Sequence, residues 1–276
     1  MASELALRIV SGLVLAVIAL GSAWLGGYAF ELFWLIAGLL VLKEWINIQN
    51  VAGSRAIATM VAGLAAFIIA VLLIDHAESI SAAPSFIFFL PVLIATSFVF
   101  AIAKGDWRAR LWLSSGLVYA SGALVPAIVL RLHPADGAVA ILWLFLCVWM
   151  SDIGAFFVGR KMGGPKLWPR ISPKKTWSGF WGGLVIGTGS ASGAVLVARA
   201  IIGPVWLDGF VLLSVSVIAV LAAVAGDLFE SAVKRRFGVK DSGSILPGHG
   251  GVMDRLDSFI AASMLTFIVV WVRGLL

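Results

Sequence analysis

Nine stretches of largely apolar residues follow one another along this chain, at residues 8–25, 27–42, 56–74, 84–103, 111–131, 138–158, 178–202, 206–226 and 257–273. A helix crosses the hydrocarbon core of a bilayer with about 20 apolar residues. Lipid offers a backbone no hydrogen-bond partner, so runs of this length must become helices. The 276 residues are 61% hydrophobic and 12% charged, against about 25% charged in soluble domains. No soluble fold hides that much apolar surface. The expected class is all-α: a polytopic integral membrane protein with about nine transmembrane helices. The 12 Trp and 30 Gly agree, because Trp favours membrane interfaces and Gly permits close helix packing. The run Ile9 to Leu25 is followed at once by another, across Gly26-Gly27, and shows no small-residue cleavage site. It is expected to be a retained helix, not a signal peptide. The single Cys147 lies in an apolar run, so neither a disulfide framework nor a cysteine metal site is expected.

The basic residues orient such a bundle. With the N-terminus and every second connection on one side, that side holds all of the 20 Lys and Arg residues except Arg131, Arg199 and Arg273. The positive-inside rule makes it the cytoplasmic side. The expected location is a bacterial cytoplasmic (inner) membrane, with the N-terminus and both long polar segments, 159–177 and 227–256, in the cytoplasm. The net charge of +6 is then topology plus something anionic at those segments, and no nucleic acid partner is needed. Residues 1–135, with about five helices, are expected to form a scaffold offering lipid or dimer contacts. Residues 136–276, with about four, are expected to carry the chemistry.

Three polar clusters converge on that face. In the first, Trp149-Met150-Ser151-Asp152-Ile153-Gly154-Ala155, an acid sits near the end of an apolar span. Such a carboxylate marks a functional site when it faces the bundle interior, and merely reaches the interface otherwise. The second runs from Gly159-Arg160-Lys161-Met162-Gly163-Gly164-Pro165-Lys166 into Ser172-Pro173-Lys174-Lys175-Thr176-Trp177. Glycines allow close backbone approach, and Lys and Arg donate to phosphate oxygens. Ser172-Pro173 is where the next helix is expected to begin, and helix N-termini favour anions. The competing reading is a basic loop that meets only lipid headgroups. No Gly-x-x-x-x-Gly-Lys-Ser/Thr pattern occurs, so any nucleotide is held without an ordinary P-loop.

The third cluster starts at Gly226-Asp227 and ends at Asp254-Arg255-Leu256-Asp257. On a helix Asp227, Glu230, Ser231 and Lys234 lie on one face, as do Asp254 and Asp257 at the start of the last span. Between them His249-Gly250-Gly251 reads as a flexible turn, with His249 more often a satisfied loop residue than a ligand. The two helix ends can bring Asp227 and Asp254 together around a cation. Oxygen-only ligands favour Mg²⁺, with or without a second cation, over zinc. Surface salt bridges alone are a poor account of so many acids, bases and glycines between two spans.

The pattern Ser231-x-Val-Lys234-Arg235-x₄-Lys240-Asp241-x-Gly243-x₂-Leu246-Pro247-x-His249-Gly250-Gly251-Val-x-Asp254-Arg255-Leu-Asp257 resembles the signature of the phosphatidate cytidylyltransferases, the CDP-diacylglycerol synthases. Ser151-Asp152-x-Gly154-Ala155 and Ser172-Pro173-Lys174-Lys175-Thr176-Trp177 are similar to further family features, whereas Ser178 stands where many relatives carry an acid. The resemblance implies transfer of CMP from CTP to phosphatidic acid, giving CDP-diacylglycerol and pyrophosphate, in a dimeric all-helical membrane enzyme that needs Mg²⁺. It implies Asp227 and Asp254 as metal ligands, with Ser231, Lys234, Lys240, Asp241 and Asp257 completing the catalytic set. Asp152, Lys174, Lys175, Arg235, His249, Gly250, Gly251 and Arg255 are the expected substrate contacts, and membrane lipids surround the acyl chains.

Other readings remain distinct. Another lipid phosphate could accept the CMP by identical headgroup chemistry. An anion transporter predicts charges spread through the spans and internal repeats, neither of which is visible. A structural lipid-binding protein needs the bases but not Asp227, Asp241, Asp254 and Asp257 together.

Overall fold

The computed structural model describes residues 2–77, 85–132, 137–203 and 209–272. Among them are nine α-helices: α1 (Ala2–Leu25), α2 (Gly27–Ile48), α3 (Ser54–Ala77), α4 (Leu90–Ile102), α5 (Trp107–Arg131), α6 (Gly137–Met162), α7 (Trp177–Ile202), α8 (Gly209–Arg236) and α9 (Met253–Val272). A 3₁₀ turn, Ser85–Phe89, leads into α4. Six helices (α3 and α5 to α9) contain stretches long and apolar enough to cross a membrane, and Ile9–Leu25 and Ile87–Ile102 are shorter apolar helices. This is a multi-pass, all-α membrane protein, as the hydropathy pattern requires.

Two features depart from the expected helices. Residues 159–177 are not a plain loop: β1 (Lys166–Trp168) pairs antiparallel with β2 (Ser172–Thr176). Accordingly α7 does not begin at Ser172-Pro173. Those residues lie in β2, and Thr176 is the helix cap, its hydroxyl accepting from the Gly179 N–H at 3.1 Å. Strand pairing holds Pro173 to Thr176 extended, so the helix starts only where the ladder ends. In addition, α8 runs on to Arg236, which places Asp227, Glu230, Ser231 and Lys234 on regular helix.

The chain forms two compact units. One comprises residues 1–129 and 237–256, the other residues 130–236 and 257–276. In the first, the wholly buried Trp45 of α2 donates from its indole to the Trp112 carbonyl at 2.8 Å, and its ring centre lies 4.9 Å from that of Tyr119 in a tilted pair. A Cβ on Gly116 would strike that indole, so glycine is what lets α5 approach α2. Phe237 packs edge-on against Trp112, which ties the segment after α8 to this core.

In the second unit α6 and α7 pack along a seam of small residues. A Cβ on Gly179 would lie 2.8 Å from the Ala155 carbonyl oxygen, and one on Gly187 2.9 Å from the Ser151 Cβ. Without a hydrophobic drive between helices in lipid, such close contact is what holds them together. Trp143 donates to Ser216 at 2.9 Å, and Phe145 packs on both Trp149 and Phe259, joining α6 to α8 and α9.

Candidate functional site

In the second unit the end of α6, the hairpin and the start of α7 enclose a cavity of about 620 Å³. Asp152 and Arg160 reach it from α6, Lys166, Lys174 and Lys175 from the hairpin, and Val224 from α8. The hairpin turns two extended strands so that lysines eight to nine residues apart in sequence share one opening. Ser178 donates to the Gly163 carbonyl and lies 3.1 Å from the Thr176 hydroxyl, so it closes the hairpin onto α7. A cavity of similar volume, about 660 Å³, lies between α3 and α4, but only Ala, Val, Ile, Leu, Pro and Phe line it. Its lining offers no polar side chain to a phosphate, whereas the cleft in the second unit is lined by Arg160, Lys166, Lys174 and Lys175.

Beside that cleft Lys175 forms an ion pair with Asp227, both side chains about a quarter exposed. Ser231, one turn on, donates to the other Asp227 oxygen at 3.3 Å. Asp257, part-buried in α9, lies within electrostatic range of Asp227, Asp152 and Lys234. The structure therefore brings Asp152, Lys175, Asp227, Ser231, Lys234 and Asp257 together. The face-sharing of α8 is resolved in one particular way. Lys234 pairs at 2.7 Å with the wholly buried Glu230, one turn back on the same helix. Arg235 is exposed at the end of α8, and Lys174 is exposed on β2.

The rest of the expected set lies in the first unit. Lys240 and Asp241 are exposed there. The segment 246–250 closes on itself: the Leu246 N–H donates to Gly250 O and the His249 N–H to Leu246 O, both at 2.9 Å. His249 Nδ1 sits 2.7 Å from the Ser11 hydroxyl of α1, and the Arg255 guanidinium donates to the His249 carbonyl at 2.9 Å. The turn expected to be flexible is thus tied at both ends. Asp254 opens α9 by accepting from the Ser242 N–H at 3.0 Å and the Gly251 N–H at 2.8 Å. Gly250 has φ +83°, and a Cβ there would lie 2.7 Å from the same carboxylate. Both the backbone and the close approach demand glycine at that position.

A further residue joins this segment without having been singled out in the sequence. Glu44 of α2, only 1% exposed, accepts from the Val252 N–H at 2.9 Å through one oxygen. Its other oxygen accepts from the Met253 N–H and the Ser242 hydroxyl, both at 2.8 Å. The available signal was a lone acid inside an apolar run.

Among the described residues, no three His, Cys, Asp or Glu side chains gather closely enough to enclose a metal ion by themselves. The donors on offer are all hard oxygens.

Comparison with known proteins gives a consistent picture. A model of the cytidylyltransferase family matches residues 6–273. The chain is 37% identical over 272 residues to a phosphatidate cytidylyltransferase of Brucella suis, covering 96% of this chain and 93% of the relative. It is 36% identical over 238 residues to the protein of that name from Staphylococcus epidermidis, covering 85% and 87%. With the one from Haemophilus influenzae it shares 40% over 167 residues, or 56% of this chain and 57% of the relative.

Proposed function

The chain belongs to the cytidylyltransferase family, and from that premise we propose that it transfers CMP from CTP to phosphatidic acid. A phosphate oxygen of the lipid attacks the α-phosphorus of CTP. The bond from that phosphorus to the bridging oxygen of the β-phosphate breaks, and pyrophosphate leaves with both electrons. CDP-diacylglycerol remains in the bilayer.

The observation that carries this reading is the Lys175–Asp227 pair at the mouth of a basic cleft. The attacking group is already an anion, so the main barrier is bringing two polyanions together, not removing a proton. Positioning and charge neutralisation supply most of the catalysis in such transfers. Lys174, Lys166 and Arg160 line the cleft as cations for phosphate oxygens. Lys175 exchanges its carboxylate partner for a phosphate oxygen when nucleotide enters. Asp227 is then released, with Ser231 still fixing its orientation. The family resemblance implies Asp227 and Asp254 as the ligands of a Mg²⁺ that would neutralise the remaining polyphosphate charge, and Lys240 and Asp241 as further members of the catalytic set.

The reading extends to a homodimer in a bacterial inner membrane, with the N-terminus and the cleft facing the cytoplasm and the acyl chains in the surrounding lipid. The one-sided distribution of Lys and Arg supports that orientation. Purified protein given radiolabelled CTP, Mg²⁺ and phosphatidate should yield lipid-linked CMP and pyrophosphate in equal amounts. A parallel assay with a polyprenyl phosphate should yield none. No product from phosphatidate overturns the proposal, and faster transfer to the polyprenyl phosphate reassigns the acceptor.

A further inference from the structure

We infer that Glu44 is a positioning residue for the signature segment: it fixes residues 242–253 and, through them, the carboxylate of Asp254. The sequence separation is about 200 residues, yet Glu44 meets the segment at three donors, the Ser242 hydroxyl and the Val252 and Met253 N–H groups. Val252 and Met253 open α9, whose first N–H groups have no partner within the helix. A carboxylate at that place satisfies them and lies at the positive end of the helix dipole. It does so from another helix, where an ordinary cap comes from the adjacent residue.

Ser242 links the two carboxylates. Its hydroxyl donates to Glu44 and its N–H to Asp254. The glycines fit the same construction. A Cβ on Gly243 would lie 2.8 Å from Glu44 Oε1, and one on Gly251 would collide with Glu44 and Ser242. Gly243 and Gly251 of the signature are therefore glycines because Glu44 occupies the space beside them. A carboxylate almost free of solvent, meeting three donors at 2.8 to 2.9 Å, is costly to disturb. The inference assigns α2 of the N-terminal region a part in the site. Its catalytic consequence rests on the CMP-transfer reading, whereas its structural content does not.

The test uses full-length protein in detergent, comparing Glu44→Gln, Glu44→Asp and Ser242→Ala with wild type by hydrogen exchange and by CMP transfer. Glu44→Gln turns an acceptor oxygen into a donor facing N–H groups. Exchange over 242–253 should accelerate by about 10- to 100-fold, the range for losing a charge-assisted hydrogen bond, with the helices elsewhere unchanged. Glu44→Asp should recover part of that protection. Ser242→Ala, which removes one donor only, should loosen the segment less. For transfer, the Mg²⁺ concentration giving half-maximal rate should rise several-fold in Glu44→Gln while the KM for phosphatidate holds. Unchanged exchange over 242–253 in Glu44→Gln overturns the inference. Should that variant fail to fold, unchanged exchange in Ser242→Ala does so instead. An unshifted Mg²⁺ dependence with altered exchange removes the link to Asp254. Wild-type protein that transfers no CMP defeats the functional reading, while the exchange data still decide the role of Glu44.

Discussion

Asp227, within α8, and Asp254, at the start of α9, are both carboxylates beside an apolar stretch of helix, yet the protein holds them in opposite ways. Asp227 faces a lysine side chain and a hydroxyl, groups that can swing away. Asp254 is gripped by two backbone N–H groups that cannot. An ammonium on a four-carbon stem changes partners at little cost, whereas a backbone amide moves only if the whole segment does. Asp227 is held by groups that can change partners, and Asp254 by groups that stay where the fold puts them.

The largest expected effects lie at the two acids. Asp227→Asn should lower CMP transfer by about 10³-fold, in line with losing a preorganised charge at a reacting phosphate, and leave hydrogen exchange over 241–256 unchanged. Asp254→Asn should lower transfer as far, with the protein still folded, but should also loosen 241–256. Equal exchange in the two variants would erase the contrast. Lys175→Ala should lower kcat/KM for CTP by about 10²-fold, and activity at the wild-type level would show that the ion pair is only structural. Gly250→Ala places a side chain at positive φ against the Asp254 carboxylate, a strain of about 1–3 kcal/mol. It should cost about tenfold in rate with a KM for CTP near wild type, as steady-state kinetics would reveal. Ser231→Ala removes one hydrogen bond to Asp227 and should cost about two- to fivefold. A larger loss would give the hydroxyl a direct part in substrate contact.

Much of this architecture is legible in the sequence because bilayer physics leaves few choices. Long apolar runs become helices, and the charges that remain collect where water is. The hairpin was hidden because Lys166 to Thr176 carries too few apolar residues to show a strand alternation, and its pairing depends on residues ten positions apart. The start of α7 was misplaced for the same reason: Ser172-Pro173 has the local chemistry of a helix start, and tertiary pairing overrides it. Local spacing did show which acids share a face of α8. It could not show that Lys234 turns to Glu230, because Glu230, one turn back, and Asp227, two turns back, lie on the same face. Glu44 escaped altogether, since its partners are about 200 residues away and only the folded chain brings them together.

The most direct measurement is CMP transfer by the purified wild-type protein and by Asp227→Asn, with labelled CTP, Mg²⁺ and phosphatidate in detergent micelles. Wild type should form lipid-linked CMP and pyrophosphate in equal amounts, with Asp227→Asn at background while still folded. Lipid-linked CMP from both proteins at the same rate, or from neither, would contradict the account.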